Sequence, residues 1–61
     1  MRDYLFEIID EDSEACGEQF FVESNTLENA WEIVQENFEE EIRYLGEYSV
    51  AEAEMWGLDT Y

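Results

Sequence analysis

The sequence predicts a small α+β domain with element order ββαβα. Three observations lead there. Two short apolar runs near the start are separated by a polar segment ending in glycine. One later segment carries apolar residues at helical spacing. And 46% of residues are hydrophobic and 16% aromatic, with no proline and three glycines, so the chain has the material for a packed core. Sixty-one residues make one domain, read here as residues 1-61, with a small core and a marginal stability that dimerisation or partner binding would raise.

Tyr4–Ile9 (YLFEII) reads as the first strand. Tyr4, Phe6 and Ile8 share one face, and Leu5, Glu7 and Ile9 the other. Apolar residues on both faces indicate a central strand. Asp10–Gly17 (DEDSEACG) reads as a loop. Glu18–Glu23 (EQFFVE) reads as the second strand of a hairpin, with Phe20 and Val22 on one face and Phe21 on the other. A helix follows and runs to about Phe38. Its cap is either Asn25, which has capping-box spacing to Glu28, or Thr26. Leu27, Ala30, Trp31, Val34 and Phe38 form its apolar stripe. Glu41–Tyr48 (EIRYLGEY) reads as the third strand, with a possible break at Gly46. Ser49 and Glu52 are spaced as a second capping box, for a short helix from Val50 to Trp56. Gly57 would stop it, with Leu58 packing back. Asp59–Tyr61 reads as a tail. A right-handed crossover through the long helix would set the third strand beside the first. The sheet would then be antiparallel, in order 2-1-3, with the long helix on one face.

Charge separates this chain from an ordinary small domain. It holds 18 Asp plus Glu, two Arg, no Lys and no His, for a formal net charge of −16. Like charges repel within a compact state, so this surplus works against folding. Its candidate uses are a basic partner, a cation or a salty solvent. It argues against direct binding to nucleic acid and to anionic lipid surfaces. No apolar run approaches the length of a membrane span, and Met1–Asp10 does not read as a signal peptide. The single Cys16 excludes an internal disulfide and fits a reducing cytosol.

On a helical wheel at roughly 100° per residue, Glu28, Glu32, Glu36 and Glu39 lie within about a quarter of the circumference, facing away from the apolar stripe, with Glu40 just beyond. A charged run on a helix ordinarily marks a solvated face, with Lys or Arg interleaved. Here no cation relieves the like-charge pairs, each of which costs about 0.2–0.5 kcal/mol. A second cluster, Asp10, Glu11, Asp12 and Glu14, lies in the hairpin loop. Asp10, Asp12 and Glu14 mimic the first ligands of a calcium loop, but Ala15 stands where glycine is needed and Phe21 where the closing Glu belongs. No metal or other cofactor is expected. Without His, and without a phosphate-binding glycine loop, an enzyme is not expected either. Cys16 lies beside Glu14 and Glu18, which disfavour its thiolate. Trp31 belongs to the apolar stripe and reads as core. Trp56 reads as more open, and with Tyr44, Tyr48 and Tyr61 it could form an aromatic patch for a partner or a second copy; Trp56 and Tyr48 are the candidate interface residues.

In size, charge and architecture, though in no sequence motif, the chain resembles the DNA-mimicking anti-CRISPR and antirestriction inhibitors of phages and mobile elements. The resemblance implies carboxylates standing in for phosphates, and a basic nucleic-acid-binding protein or complex as partner. Among such partners a CRISPR effector is favoured, bound where it recognises target DNA. It also implies action in the cytoplasm of a bacterial host cell. The alternative is a small acidic interaction module, as a monomer or a homodimer, that binds another basic protein without mimicking DNA. Adaptation to high salt is a third reading; against it, the acids are mostly Glu and large aromatics are plentiful.

Overall fold

A computed structural model describes residues 1–61. Its elements are β1 (Arg2–Ile8), β2 (Gln19–Ser24), α1 (Leu27–Asn37), β3 (Ile42–Tyr48) and α2 (Val50–Glu54). The three strands form one antiparallel sheet in order β2-β1-β3, so the ββαβα reading and the central first strand hold.

The α1 face of the sheet carries the larger core. Tyr4, Phe6 and Ile8 of β1 and Phe20 and Val22 of β2 pack against Ala30 and Val34 of α1, all buried. The Trp31 ring stands edge-on to Phe6 at 4.9 Å between centroids, so Trp31 lines this core, half-buried. The opposite face is thinner. Leu5, Phe21 and Ala53 are buried there, flanked by Leu45, Tyr48 and Leu58. Fully burying each large apolar side chain contributes about 1.5–3 kcal/mol, so the α1 face carries most of the stability.

Several boundaries differ from the sequence reading. β1 starts at Arg2 because Arg2 and Asp3 pair with Ser24 and Glu23. Ile9 falls outside β1, although its N–H donates to the Glu41 carbonyl at 2.9 Å. β2 runs from Gln19 to Ser24, one residue later than expected at each end. Ser24 is buried and accepts from Asn29 Nδ2 at 2.9 Å.

Thr26, and not Asn25, caps α1: its Oγ1 accepts the Asn29 N–H at 3.1 Å. The helix ends at Asn37, and Phe38 is extended at φ −131°, ψ 138°. Two causes act together. Glu36 and Glu39–Glu41 crowd the negative end of the helix dipole, where acids are destabilising. And Phe38 leaves the helix to stack on Phe20 at 4.4 Å.

β3 starts at Ile42 and is not broken at Gly46. It is bulged instead: Phe6 faces Tyr44 and Leu5 faces Gly46, which leaves Leu45 as the extra residue. The bulge keeps Leu45 and Tyr48 on the α2 face, and the Tyr48 ring lies over Gly46. α2 is shorter than expected. Ser49 caps it by accepting the Glu52 N–H at 3.2 Å, and Trp56 lies in the turn beyond. Gly57, at φ +68°, then reverses the chain as expected, and Leu58 returns to the second core.

The last three residues are not a free tail. Asp59–Tyr61 run parallel to β2. The Phe21 N–H donates to the Asp59 carbonyl at 2.9 Å, and the Tyr61 N–H donates to the Phe21 carbonyl at 2.8 Å. They cover the outer edge of β2, which would otherwise present unpaired backbone groups.

Candidate acidic interaction surface

The chain's two arginines are both engaged on the sheet. Arg2 Nε donates to Glu47 at 3.1 Å, and Arg43 to Glu7 at 2.8 Å. Both pairs are solvent-accessible and contribute about 0–1 kcal/mol each. No other side-chain cation remains for the rest of the acidic surface.

Glu28, Glu32 and Glu36 are exposed, on the side of α1 away from buried Ala30 and Val34. Thr26 and the apolar stripe fix that rotation. The three carboxylates therefore form the one-sided stripe expected of them. Glu39 and Glu40 do not extend it, because α1 stops before them. They turn instead towards the hairpin loop. Ser13 Oγ donates to Glu40 Oε2 at 3.5 Å, and the Glu41 N–H donates to Asp10 Oδ2 at 3.3 Å. Asp10, Asp12, Ser13, Glu39 and Glu40 thus line one open concavity of about 340 Å³. Asp10 is partly structural, since its other oxygen accepts the Asp12 N–H at 3.0 Å. Gly17, at φ +91°, closes the loop by donating its N–H to the Ile8 carbonyl at 2.7 Å. Glu11 and Glu14 are exposed on the loop outside the concavity. The carboxylates of the concavity are not arranged as a metal-ligand set.

The aromatic patch is smaller than expected. Trp56 is 46% exposed and packs on Tyr48 at 5.2 Å, with Phe21 beneath both rings. Tyr44 does not join it. The bulge turns Tyr44 to the α1 face, against Phe6 at 5.6 Å. Tyr61 does not join it either: its ring meets Phe20 and Phe38 at 5.4 and 5.2 Å.

Sequence reasoning missed one further group. Asp3 is buried at 3% exposure, and its Oδ1 has no hydrogen-bond partner. It sits on the α2 face, paired in register with Glu23 on one side and Tyr48 on the other. Burial raises its pKa above the usual aspartate value, and Glu23 and Glu54 raise it further. The signal was present in the sequence: extending β1 to Arg2 puts Asp3 on the same face as Leu5.

No helix is long and apolar enough to cross a membrane. Comparison with protein-family models, with curated proteins and with solved structures gives no match.

Proposed function

We propose that the protein is an acidic nucleic-acid mimic that inhibits a basic nucleic-acid-binding complex, with a CRISPR effector as the favoured target. One observation carries the reading: Glu28, Glu32 and Glu36 form an exposed stripe on an ordered helix, and both arginines are engaged elsewhere. An arrangement without internal cations is suited to the Lys and Arg side chains that otherwise neutralise phosphates. The concavity formed by Asp10, Asp12, Glu39 and Glu40 adds a second acidic surface, flanked by Glu11 and Glu14. Association would be steered by the long-range field and weakened by salt. The reading places its action in the cytoplasm of a bacterial host, where such complexes meet DNA.

The test is target-DNA binding by purified CRISPR effector complexes, measured with and without the protein. Inhibition should fall steeply with salt and vanish in the combined Glu28→Lys, Glu32→Lys, Glu36→Lys variant, checked for folding by circular dichroism. Inhibition that survives the triple reversal removes α1 as the contact surface. No inhibition of any effector or restriction complex removes the mimicry reading.

A second reading has its own observation. Exposed Trp56, packed on Tyr48, suits a small acidic interaction module, as a monomer or a homodimer, that binds a basic protein without mimicking DNA. Solution mass and the effect of Trp56→Ala on it distinguish the dimer from a monomer.

A further inference from the structure

The α2 face of the sheet holds a feature that the helix stripe does not explain. Asp3 is 3% exposed, yet its Oδ1 meets no donor. Such a group has given up its water and gained no partner in return. Its neighbours deepen the problem. Glu23 is its register partner on β2, and Glu54 approaches from α2, which packs on β1. Neither arginine can relieve the cluster, since Arg2 is held by Glu47 and Arg43 by Glu7. On the remaining side stands Tyr48, the partner of Asp3 on β3, with the Trp56 ring against it at 5.2 Å.

We propose that Asp3, Glu23 and Glu54, bordered by Tyr48 and Trp56, form a receiving site for one arginine side chain of a protein partner. The chemistry matches at each point. A guanidinium presents several N–H donors in a planar fork, which suits carboxylates that lack donors. Its flat face stacks on an aromatic ring, and Trp56 offers one that is half-exposed. Glu23 and Glu54 are exposed and can be reached from solvent, and Asp3 lies buried beside Glu23, its register partner. An arriving cation would reverse the forces that now raise the Asp3 pKa, and would hold the carboxylate ionised. This site lies on a different face from Glu28, Glu32 and Glu36, so it stands or falls separately from the mimicry reading.

The probe is the peptide acetyl-Gly-Arg-Gly-amide, with citrulline in place of arginine as its uncharged control. Binding is followed by carboxyl and indole NMR shifts at fixed ionic strength. The expected result is saturable binding, with shifts concentrated on Asp3, Glu23, Glu54 and Trp56. The Asp3 pKa should fall on saturation. Asp3→Asn should weaken binding at least fivefold, and Glu54→Gln should weaken it less. Glu18→Gln, at an exposed acid outside both surfaces, should bind as wild type. Asp3→Asn preserves side-chain shape and removes a buried charge, so a lost fold is not the expected cause of weaker binding. The proposal is overturned if the shifts spread over all the carboxylates, if citrulline binds equally well, or if Asp3→Asn leaves the affinity unchanged.

Discussion

The two faces of the sheet are built from the same three strands and do opposite things with them. On the α1 face, Tyr4, Phe6, Ile8, Phe20 and Val22 meet a continuous helical stripe, and no charged side chain is buried. On the α2 face, three buried apolar residues share the surface with Asp3. A five-residue helix covers it, with Trp56 left half-exposed. The contrast teaches that stability and unsatisfied chemistry have been separated. One face holds the fold against a charge of −16. The other can carry a buried acid because the first does not need its help.

The hardest way to break this comparison is to remove the strong face. Phe6 is fully buried and touches Phe20, Trp31 and Tyr44. Phe6→Ala should destabilise by about 3–5 kcal/mol, as large aromatic truncations in cores do. A domain this small has little more than that to lose. Circular dichroism should show an unfolded chain in dilute buffer. Loss of activity in such a variant would report unfolding and say nothing of the acidic surface.

Tyr61→Ala is the next largest. The Tyr61 ring joins Phe20 and Phe38, and each such aromatic pair contributes about 0.5–1.5 kcal/mol beyond area burial. A loss of about 1–2 kcal/mol is expected in urea denaturation. If Tyr61→Ala is neutral, the ring contacts of Tyr61 with Phe20 and Phe38 do not help to hold the C-terminal residues on the β2 edge.

What the sequence made legible follows the same division. The strong face was readable because alternation in β1 and 3.6-residue spacing in α1 each name one side of an element. Glu28, Glu32 and Glu36 were readable for the same reason. Glu39 and Glu40 were misplaced because periodicity alone does not report where a helix stops. The stop came from the dipole and from the pull of Phe20 on Phe38, a contact between residues far apart in sequence. Tyr44 was assigned to the wrong patch because one bulged residue, Leu45, changes the face of everything beyond it. The pairing of Asp59–Tyr61 with β2 is also long-range, and the tail carries no pattern of its own.

Asp3→Asn sharpens the comparison from the weak side, with a gain instead of a loss. The folded-state pKa of Asp3 is raised, so the folded protein holds that proton more readily than the unfolded chain. Asp3 therefore destabilises the fold above its folded pKa, and the penalty fades as pH falls through that value towards the unfolded one. Glu23 and Glu54 act in the same direction. Asp3→Asn should stabilise by about 1 kcal/mol at pH 7, because it removes the buried charge and its repulsion from Glu23 and Glu54 while keeping the side chain's shape. The gain should disappear in acid, where wild type and variant converge. A gain that persists unchanged at low pH would mean that the carboxylate charge is not what strains this face.

The smallest effect tests whether the stripe on α1 belongs to stability at all. Glu28→Gln, Glu32→Gln and Glu36→Gln together remove two like-charge contacts at i,i+4, each worth about 0.2–0.5 kcal/mol. The variant should be more stable than wild type by about 0.5–1 kcal/mol at low salt. The difference should shrink as salt screens the exposed charges. Such a gain would show that the fold carries these glutamates at a disadvantage, which is the condition for assigning them to a partner. A loss would mean that they hold the helix in place, for instance through Glu28 in its first turn. Because the Asn29–Thr26 cap and the Ala30–Val34 stripe are untouched, a change of either sign can be ascribed to the charges themselves.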